Sequence, residues 1–544
     1  MPLLGIHFLS LENILLFVLP SLCVLLFILY PIISVLQYGL GQSSFKEIFD
    51  IYNKIPKTWI INTVKVGTLS TLFTTVIAVA IANYLIFEKG KWSKVLNRFL
   101  LLTMISPPFV SSLAYIMLYG KRGLITFHLF NINWNPYGIQ GIVLMQTLSH
   151  VALCTFMIKS AMENFDESQF WVSRDLGGSF SYSYFKIIFP NIKSGILAAM
   201  SIIFVQCISD FGTPIIIGGN FKVLATEAYL SIVGKGDLKS ATVMLLLLVI
   251  PSIMAYYFYR KEMDNYKTGD LIRNKKSSIK LHGIIKWVGS FLIVTYTIIM
   301  VFQYAAIFVS AFGRIYSGGI IWNLDYIKEF FTQNKFTPFM RSIKYAFIVG
   351  AISTLLGFLL SYYIEFKNTK ICKGIDFLAV LPYVLPGPFF GLAYILGFNH
   401  KPIFLLGTAS IVVLNCIFRQ LGISMRANAS VMKQIPKNIE LAARDLGGSR
   451  IRSLFEVILP LCDTALLASF INSFTATMTT VGAIIFLISP KAKVATTEMF
   501  NALRDGEYGL AAVYGLMIIC VTLFVNLFAA FIQKRLRDKK EKAA

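Results

Sequence analysis

A polar motif that could bind a partner protein occurs twice in this sequence. Residues 174–190 read RDLGGSFSYSYFKIIFP and residues 444–460 read RDLGGSRIRSLFEVILP, and the two copies align without a gap. In each copy an Arg-Asp pair precedes two glycines, which permit a sharp turn between short helices. An amphipathic segment then runs to a proline, which fits the start of a helix because its missing N–H costs little there. A short exposed helix of this kind is suited to docking into a groove of another protein.

A second group of polar residues lies inside apolar segments, where polar side chains are costly and usually face a cavity or another helix. Two sets share the spacing i, i+4, i+7, namely Gln206, Asp210 and Thr213, and then Ser473, Thr477 and Thr480. This spacing predicts that each set lies on one helix face. Their matching places in two halves of the chain predict a two-sided passage at the interface of the halves. Hydrogen bonding between helices is the alternative; it stays open for the serine and threonine residues, whereas for Asp210 we favour the pathway.

Four further ionisable side chains stand out without a decided role. His150 and Arg419 fall within apolar segments, where packing or snorkelling is the more common role. Glu227 and Glu498 lie in the similar sequences ATEAY and TTEMF. They could contact a delivery protein or cap short external helices, and the sequence does not decide between these roles.

The sequence lacks the residue patterns of covalent or metal chemistry. No G-x-x-x-x-G-K-[ST] phosphate loop is present, so ATP hydrolysis would have to take place on a separate chain. No cluster of His, Cys, Tyr or carboxylate side chains with metal-ligand spacing occurs in the apolar segments. The seven cysteines lack C-x-x-C spacing and are interpreted as small buried hydrophobic residues. We therefore predict no enzyme activity, no catalytic residue, no metal site and no cofactor bound by this chain.

The composition indicates the surroundings in which these residues must be positioned. The chain has 544 residues, of which 56% are hydrophobic and 14% charged, whereas a water-soluble domain carries about 25% charged residues. The mean hydropathy is +0.69, and we predict an integral membrane protein that contacts the lipid bilayer. The formal charge of +23 does not indicate nucleic acid binding, because no folded polar module concentrates it. Membrane proteins also accumulate Lys and Arg in cytoplasmic loops.

Twelve apolar segments supply the roughly 20 residues that a helix needs to cross a bilayer. Six precede a basic linker at 263–283 and six follow it, which gives two halves, 1–262 and 284–544. An even number of spans in each half predicts two parallel six-helix repeats. The predicted spans lie near residues 15–36, 64–87, 99–119, 142–161, 195–217, 241–259, 288–312, 343–364, 375–398, 404–423, 465–488 and 510–532.

The distribution of basic residues favours cytoplasmic N- and C-termini. In this orientation the linker, the sequence QKRLRDKK at 533–540 and both copies of the repeated motif lie in the cytoplasm. The first span is too long for the apolar core of a signal peptide and is not followed by a small-residue cleavage site. We expect it to remain as a membrane anchor.

The repeated motif resembles the EAA loop of ABC importer permeases, whose pattern is Glu-Ala-Ala, a glycine four residues later, and a closing Ile-x-Leu-Pro. The second loop, 435–463, matches it at Ala442, Ala443, Gly447 and Pro460, with a glutamate one place early. The first loop, 165–193, has Trp-Val-Ser in place of Glu-Ala-Ala but keeps the glycine and the proline. Two such loops at the same place in two six-span halves make the resemblance specific.

In that family the loop forms a coupling helix that sits in a cleft of the cytoplasmic ATPase. The resemblance implies an all-α, type I importer permease fold in the bacterial inner membrane. It also implies two copies of an ABC ATPase, which would use the ATP, and an extracytoplasmic solute-binding protein. The coupling residues that it implies are Arg174, Asp175, Gly177, Pro190, Ala442, Ala443, Arg444, Asp445, Gly447 and Pro460.

The substrate is suggested by resemblance alone. The twelve-span length and the sequence DFGTPIIIGGNFKVLATEAY at 210–229 are most similar to the ferric iron permeases. That group neighbours the permeases for thiamine, 2-aminoethylphosphonate and polyamines, which remain alternatives. A twelve-helix secondary transporter is a rival class, although it would need no long cytoplasmic loop in each half and usually carries more buried charge. A membrane scaffold or channel is a weaker rival.

Overall fold

The computed structural model describes residues 11–543 except for 42–44, 89, 122, 132–134, 164, 266–278, 317–318, 368, 401–402 and 437. Most of the predicted basic linker therefore lies outside the described residues. The described chain is helical almost throughout, with one antiparallel hairpin that pairs Gly313 with Trp322 and Tyr316 with Gly319. The prediction of an all-α membrane protein is confirmed.

The first part of the chain forms eleven helices. They are α1 (Ile14–Gly39), α2 (Phe45–Lys54), α3 (Lys57–Phe87), α4 (Lys91–Ile105), α5 (Pro108–Tyr119), α6 (Ile139–Glu163), α7 (Ser168–Asp175), α8 (Phe180–Ser209), α9 (Gly212–Ile217), α10 (Leu224–Lys235) and α11 (Leu238–Asn265), with a π-helical segment at Leu124–Leu129.

The second part contains the hairpin and eleven more helices. They are α12 (Gly283–Phe312), β1 (Gly313–Tyr316), β2 (Gly319–Trp322), α13 (Asp325–Phe330), α14 (Gln333–Lys367), α15 (Lys370–Val384), α16 (Gly387–Gly397), α17 (Ala409–Met432), α18 (Asn438–Asp445), α19 (Arg450–Leu461), α20 (Asp463–Thr479), α21 (Ala495–Arg504) and α22 (Tyr508–Ala543).

Each of the twelve predicted spans overlaps one of these helices or a bent pair of them, but 195–217 crosses the break between α8 and α9, and 465–488 extends beyond the end of α20 at Thr479. Within the described residues, eight helices are long and apolar enough to cross a membrane, or up to eleven if each of three bent pairs counts as one span. The remaining predicted span corresponds to α17, which has 24 residues. Its polar side chains, among them Asn415, Arg419 and Gln420, lower its hydropathy.

Prolines explain two of the bends. The chain turns by 100° between α4 and the segment that begins with α5, and by 113° between α15 and α16. The first bend contains Pro107 and Pro108, and the second contains Pro386. Proline lacks the N–H that would continue the helix and disfavours a helical conformation in the residue before it. The third bend, 78° between α19 and α20, falls at Cys462.

The described helices form two compact units. The 52–330 unit contains Tyr52–Phe330 and Met499–Leu516, and the 331–498 unit contains Phe331–Glu498, the residues up to Ile51 and those from Met517 onwards. Within the 52–330 unit, α3 packs on α6 and α8, and α12 packs on α3 and α5. Within the 331–498 unit, α14 packs on α17 and α20, and α1 packs on α16.

The boundaries of these units differ from those of the predicted halves, because the first helix of each half packs in the other unit. In the 331–498 unit, the ring of Phe27 on α1 stacks on Phe418 at 4.9 Å, and the Tyr394 hydroxyl donates to the Phe27 carbonyl over 2.9 Å. In the 52–330 unit, the Tyr304 hydroxyl on α12 lies 2.7 Å from Ser106 Oγ. Hydrophobic periodicity identifies each helix but contains no information about its packing partner.

Candidate functional site

Both copies of the repeated motif form the same turn between a short helix and a long one. In the first loop α7 ends at Asp175 and α8 begins at Phe180; in the second, α18 ends at Asp445 and α19 begins at Arg450. The first glycine of each motif has a φ of +84°. This left-handed conformation favours glycine strongly. A Cβ added at this glycine would meet nothing within 4 Å in either loop, so the requirement comes from the backbone conformation and not from space.

The second glycine of each motif is required for a different reason. The N–H of Gly178 donates to the carbonyl of Ser173 over 3.0 Å, and that of Gly448 donates to the carbonyl of Ala443 over 3.1 Å. In both loops an added Cβ would lie only 2.7 Å from that same carbonyl oxygen. The two adjacent glycines therefore close the turn by two separate constraints, one of conformation and one of space.

The serine that follows the glycines caps the next helix. Ser179 Oγ accepts a hydrogen bond from the N–H of Tyr182, and Ser449 Oγ accepts one from the N–H of Arg452, each over 3.2 Å. Such caps satisfy a backbone donor that the first turn of a helix leaves free. The cap was not predicted from the sequence, although a serine followed by a helical pattern is the usual signal of a cap.

The polar residues predicted to couple with a partner lie on the surface of the loops. Arg174 and Asp175 are exposed, and Arg174 Nη1 donates to the carbonyl of Gly178 over 2.6 Å. Asp445 is exposed, whereas the side chain of Arg444 lies outside the described residues. Ala442 and Ala443 form the last turns of α18, and their carbonyls accept the N–H groups of Leu446 and Gly448.

The two prolines lie near the starts of α-helical stretches that follow the loops. Pro190 is the second residue of the α-helical stretch Phe189–Ser209 within α8, which agrees with the prediction that it begins the next span. Pro460 lies in the short stretch Leu459–Leu461 at the end of α19, just before α20 begins at Asp463. A π-helical turn precedes each proline, at Tyr184–Ile188 and at Leu454–Ile458. The wider turn shifts the hydrogen bonding by one residue, and a helix can accommodate a proline where such a turn interrupts its regular bonds.

One leucine in each turn is strongly exposed. Leu176 is 84% exposed and Leu446 is 90% exposed, and they occupy the same place between the Arg-Asp pair and the glycines. A single exposed leucine is common on protein surfaces, but here both turns have one at the same place. These leucines were not among the predicted site residues, although a leucine inside an otherwise polar repeat is a visible signal.

The residues that hold the two loops against their units differ. Phe170 and Glu440 occupy equivalent positions before the motif, and both are buried. The ring of Phe170 lies 5.7 Å from the ring of Phe180 in an edge-on arrangement. Glu440 instead accepts a hydrogen bond from the Tyr362 hydroxyl. The glutamate that stands one place early in the second loop therefore faces the interior of its unit.

A carboxylate also stabilises the start of the first loop. The backbone N–H of Ser168 donates to Asp166 Oδ1 over 3.0 Å, and the Ser168 hydroxyl donates to Oδ2 over 2.6 Å. These hydrogen bonds favour the charged form and lower the pKa of the Asp166 carboxyl. A negative charge at the first turn of α7 is also stabilised by the helix dipole.

The first set of residues predicted to line a pathway does not lie on one helix. The helix α8 ends at Ser209 and α9 begins at Gly212, so Asp210 lies between them, while Gln206 is in the last turn of α8 and Thr213 is in α9. The prediction of a common helix face is therefore wrong. Asp210 Oδ1 accepts hydrogen bonds from the N–H groups of Gly212 and Thr213, over 2.9 and 3.1 Å. The carboxylate that ends one helix thus starts the next.

A buried glutamine connects Asp210 to its surroundings. Gln146 Nε2 donates to Asp210 Oδ2 over 3.1 Å, and Gln146 Oε1 accepts from the Ser70 hydroxyl over 2.9 Å. His150 Nδ1 lies 2.7 Å from the Gln146 carbonyl, one turn earlier on the same helix. Gln146 was not among the predicted site residues, although a glutamine within the apolar α6 is a detectable signal. Asp210 and His150 are both partly exposed.

The second predicted stripe is also interrupted. Ser473 is buried, and its Oγ lies 3.0 Å from Ser424 Oγ on α17, which is the interhelical hydrogen bond named above as the alternative. Thr477 Oγ1 donates to the Ser473 carbonyl over 2.7 Å. The helix α20 ends at Thr479, so Thr480 lies outside it, and its carbonyl accepts from the Thr496 hydroxyl over 3.0 Å. A common helix face is wrong for this set too.

The two remaining carboxylates named above are paired with lysines. Glu227 lies 3.7 Å from Lys222, and Glu498 lies 3.3 Å from Lys493, so each carboxylate pairs with the lysine five residues before it. The guanidinium of Arg419 lies against Gly387, where an added Cβ would fall 2.6 Å from Nη1. Among the described residues, no group of three or more His, Cys, Asp or Glu side chains is placed to hold a metal ion.

Comparison with known proteins identifies the family. The sequence profile described as "Binding-protein-dependent transport system inner membrane component" matches residues 74–264 and 353–539, one segment in each predicted half. The ferric transport system permease protein of Actinobacillus pleuropneumoniae is 29% identical over 498 residues, which cover 88% of this chain and 71% of the relative. A putative ferric transport system permease protein of Haemophilus influenzae is 28% identical over 449 residues, covering 79% and 69%.

A third relative has a different named substrate. The thiamine transport system permease protein of Escherichia coli is 25% identical over 164 residues, which cover 29% of this chain and 30% of the relative. The two segments matched by the family profile together cover more than half of the chain. This chain therefore belongs to the family of binding-protein-dependent transport system inner membrane components, the permease subunits of ABC importers.

Proposed function

We propose that this multi-pass permease imports ferric iron and is driven by a separate ATPase that docks on the two loops. One ATPase copy would bind at each loop, and an extracytoplasmic binding protein would deliver the solute. Both loops and both termini would face the cytoplasm. The observation that carries the coupling proposal is the repeated turn, because two loops of different packing keep the same glycine conformation, the same serine cap and the same exposed leucine.

In this proposal the first loop would transmit movement into the membrane through α8. This helix continues from the turn at Phe180 to Ser209, over 30 residues, which corresponds to about 45 Å. A displacement of the turn therefore moves Asp210 at the other end of the same helix. Because Asp210 also caps α9 and accepts a hydrogen bond from Gln146, the movement would reach α6 and α9 together. In this proposal ATP is bound and hydrolysed only by the partner.

The coupling proposal can be tested with two glycines of equal conformation. Gly447 and Gly407 have φ values of +84° and +82°, and an added Cβ meets nothing within 4 Å at either position. Valine imposes similar backbone strain at both sites, but only Gly447 lies in one of the two repeated loops. We expect Gly447→Val to abolish stimulation of the ATPase by the loaded binding protein in proteoliposomes, and Gly407→Val to retain it. Equal stimulation in the two variants would contradict the proposal.

Substrate identity requires a separate experiment. The proposal of ferric iron rests on the named substrate of the two most extensive relatives described above, and thiamine is the alternative that the third supports. Proteoliposomes with the permease, its ATPase and its binding protein should accumulate labelled ferric iron in an ATP-dependent manner, and excess thiamine should not compete. Accumulation of thiamine would reassign the substrate, and uptake that needs an ion gradient but no ATP would favour a secondary transporter.

A further inference from the structure

A cavity of about 430 Å³ lies between three helices of the 52–330 unit. Its walls are the end of α3, the start of α12 and the π-helical turn at the base of α8. The lining is apolar for the most part and includes Val76, Phe189, Val288 and Leu292. Two of these side chains, Val76 and Val288, are more than half exposed. The cavity therefore opens on helix faces that a membrane protein presents to hydrocarbon.

Two opposite charges lie at one end of this cavity. Glu88 directly follows the end of α3, and Lys286 lies in the first turn of α12, so both mark the level at which helices leave the hydrocarbon. Lys286 lines the cavity, and its Nζ lies 3.8 Å from Glu88 Oε1, beyond hydrogen-bonding distance. Glu88 Oε1 is buried, but the Glu88 side chain is 26% exposed, and its carboxylate can form a charge-assisted hydrogen bond with a cationic donor.

We propose that this cavity binds one phospholipid with a primary ammonium headgroup, such as phosphatidylethanolamine. An acyl chain would fill the apolar cavity, and each buried methylene would contribute to binding. The phosphate would contact the Lys286 ammonium, and the headgroup ammonium would donate to the exposed part of the Glu88 carboxylate. Phosphatidylglycerol carries no ammonium, and the quaternary nitrogen of phosphatidylcholine has no N–H to donate. The adjacent positive and negative charges therefore match the amine-bearing lipid.

The bound lipid would contact the base of the first loop. Tyr184, Phe185 and Phe189 line the cavity and belong to the part of α8 that follows the RDLGGS turn. The Tyr184 hydroxyl accepts a hydrogen bond from Asn83 Nδ2 on α3 over 2.7 Å. An acyl chain in the cavity would thus fill the space beside the joint between α3 and α8. This site is independent of the transported solute.

The cavity can be filled without disturbing the backbone. Gly289 lies within α12 and lines the cavity, and a Cβ added there meets nothing within 4 Å. Gly374 on α15 is also helical, and a Cβ added there also meets nothing, but it does not line the cavity. Gly289→Phe is therefore the test variant and Gly374→Phe its matched control. Displacing two methylenes costs on the order of tenfold in affinity.

The experiment counts lipids retained by the purified full-length chain. Native mass spectrometry after detergent washing should show one phosphatidylethanolamine on the wild type and on Gly374→Phe, and at least about tenfold less on Gly289→Phe. Retention by Gly289→Phe at the level of the control would overturn the site. Release of the lipid by all three proteins under washing that keeps them folded would overturn it as well.

Titration with defined lipids tests the headgroup assignment. Wild-type protein should bind phosphatidylethanolamine about tenfold more tightly than phosphatidylcholine or phosphatidylglycerol, the effect of one charge-assisted hydrogen bond. Glu88→Gln should remove that preference while retaining one bound lipid, because the apolar cavity is unchanged. Equal binding of all three lipids by the wild type, or a preference for phosphatidylglycerol, would overturn the headgroup assignment.

Discussion

The two loops share one turn but are fastened to their units by different chemistry. In the first loop the aromatic rings of Phe170 and Phe180 pack edge to face at a centroid distance of 5.7 Å. At the equivalent positions the second loop has Glu440 and Arg450. Glu440 accepts from the Tyr362 hydroxyl, and Arg450 donates to the side chain of Asn13. An aromatic contact therefore holds the first loop against its unit, whereas hydrogen bonds between polar side chains hold the second.

The helices that leave the two turns also differ. The helix α8 continues from the first turn over 30 residues, whereas α19 meets the next helix, α20, at an angle of 78°. The turn itself is nevertheless the same, down to the φ of +84° and the serine cap. The exposed turn is therefore the same in both units, whereas the interior contacts that support it differ in chemistry.

The largest effect on stability should come from removing the buried aromatic ring that holds the first loop against its unit. Phe170 is 2% exposed, and Phe170→Ala should lower the free energy of unfolding of the 52–330 unit by about 3–5 kcal/mol, the usual cost of removing a buried phenyl ring. Chemical unfolding in detergent micelles measures this change. Phe185→Ala is the matched control, since Phe185 lies in the same loop but is 55% exposed. A similar loss in both variants would mean that burial does not distinguish them.

The polar fastening should respond to a single missing partner. Glu440→Ala leaves the Tyr362 hydroxyl buried without its acceptor, and we expect a loss of about 1–3 kcal/mol in the free energy of unfolding of the 331–498 unit. The double variant Glu440→Ala with Tyr362→Phe should recover part of that loss, because it removes both hydrogen-bonding groups together. No recovery in the double variant would show that the Tyr362 hydroxyl is not the partner that matters.

The shared part of the two loops should give matching effects. Gly178→Ala and Gly448→Ala each place a Cβ 2.7 Å from a backbone carbonyl oxygen. The crowding should cost on the order of 1 kcal/mol in each loop, measured by the same unfolding experiment. Gly234→Ala is the control, because a Cβ there meets nothing within 4 Å. A clear difference between the two loop variants would break the claim that the turns are equivalent.

The repeat and the helices were accessible from the sequence because they depend on local residue order. The two-glycine turn follows from residues adjacent in the chain, and each predicted span overlaps a helix or a bent pair. The contacts that hold each loop against its unit could not be predicted. Glu440 accepts a hydrogen bond from Tyr362 and Arg450 donates to Asn13, and these partners lie far away in the sequence. No local pattern distinguishes a buried glutamate with a partner from an exposed one.

The prediction that each pathway set lies on one helix face was wrong for a related reason. A spacing of i, i+4, i+7 indicates a common face only if the helix is continuous, and the periodicity is blind to where a helix ends. Asp210 is itself the residue that ends α8 and starts α9, since its side chain accepts the N–H groups of Gly212 and Thr213. The sequence Asp-Phe-Gly contains the signal, because aspartate followed by glycine favours a cap over a helix interior.

The smallest effect on stability should accompany a complete loss of coupling. Leu176 and Leu446 are 84% and 90% exposed, so Leu176→Asp and Leu446→Asp should each change the free energy of unfolding by less than about 0.5 kcal/mol. If these leucines contact the ATPase, each aspartate would bury a charge at the interface, and binding-protein-stimulated ATPase activity in proteoliposomes should fall to the basal rate. Leu461→Asp is the control, since Leu461 is also exposed but lies outside the turn, at the far end of α19. If one leucine variant lost coupling and the other retained it, the two turns would be alike in structure but not in use, because only one of them would transmit the movement of the partner.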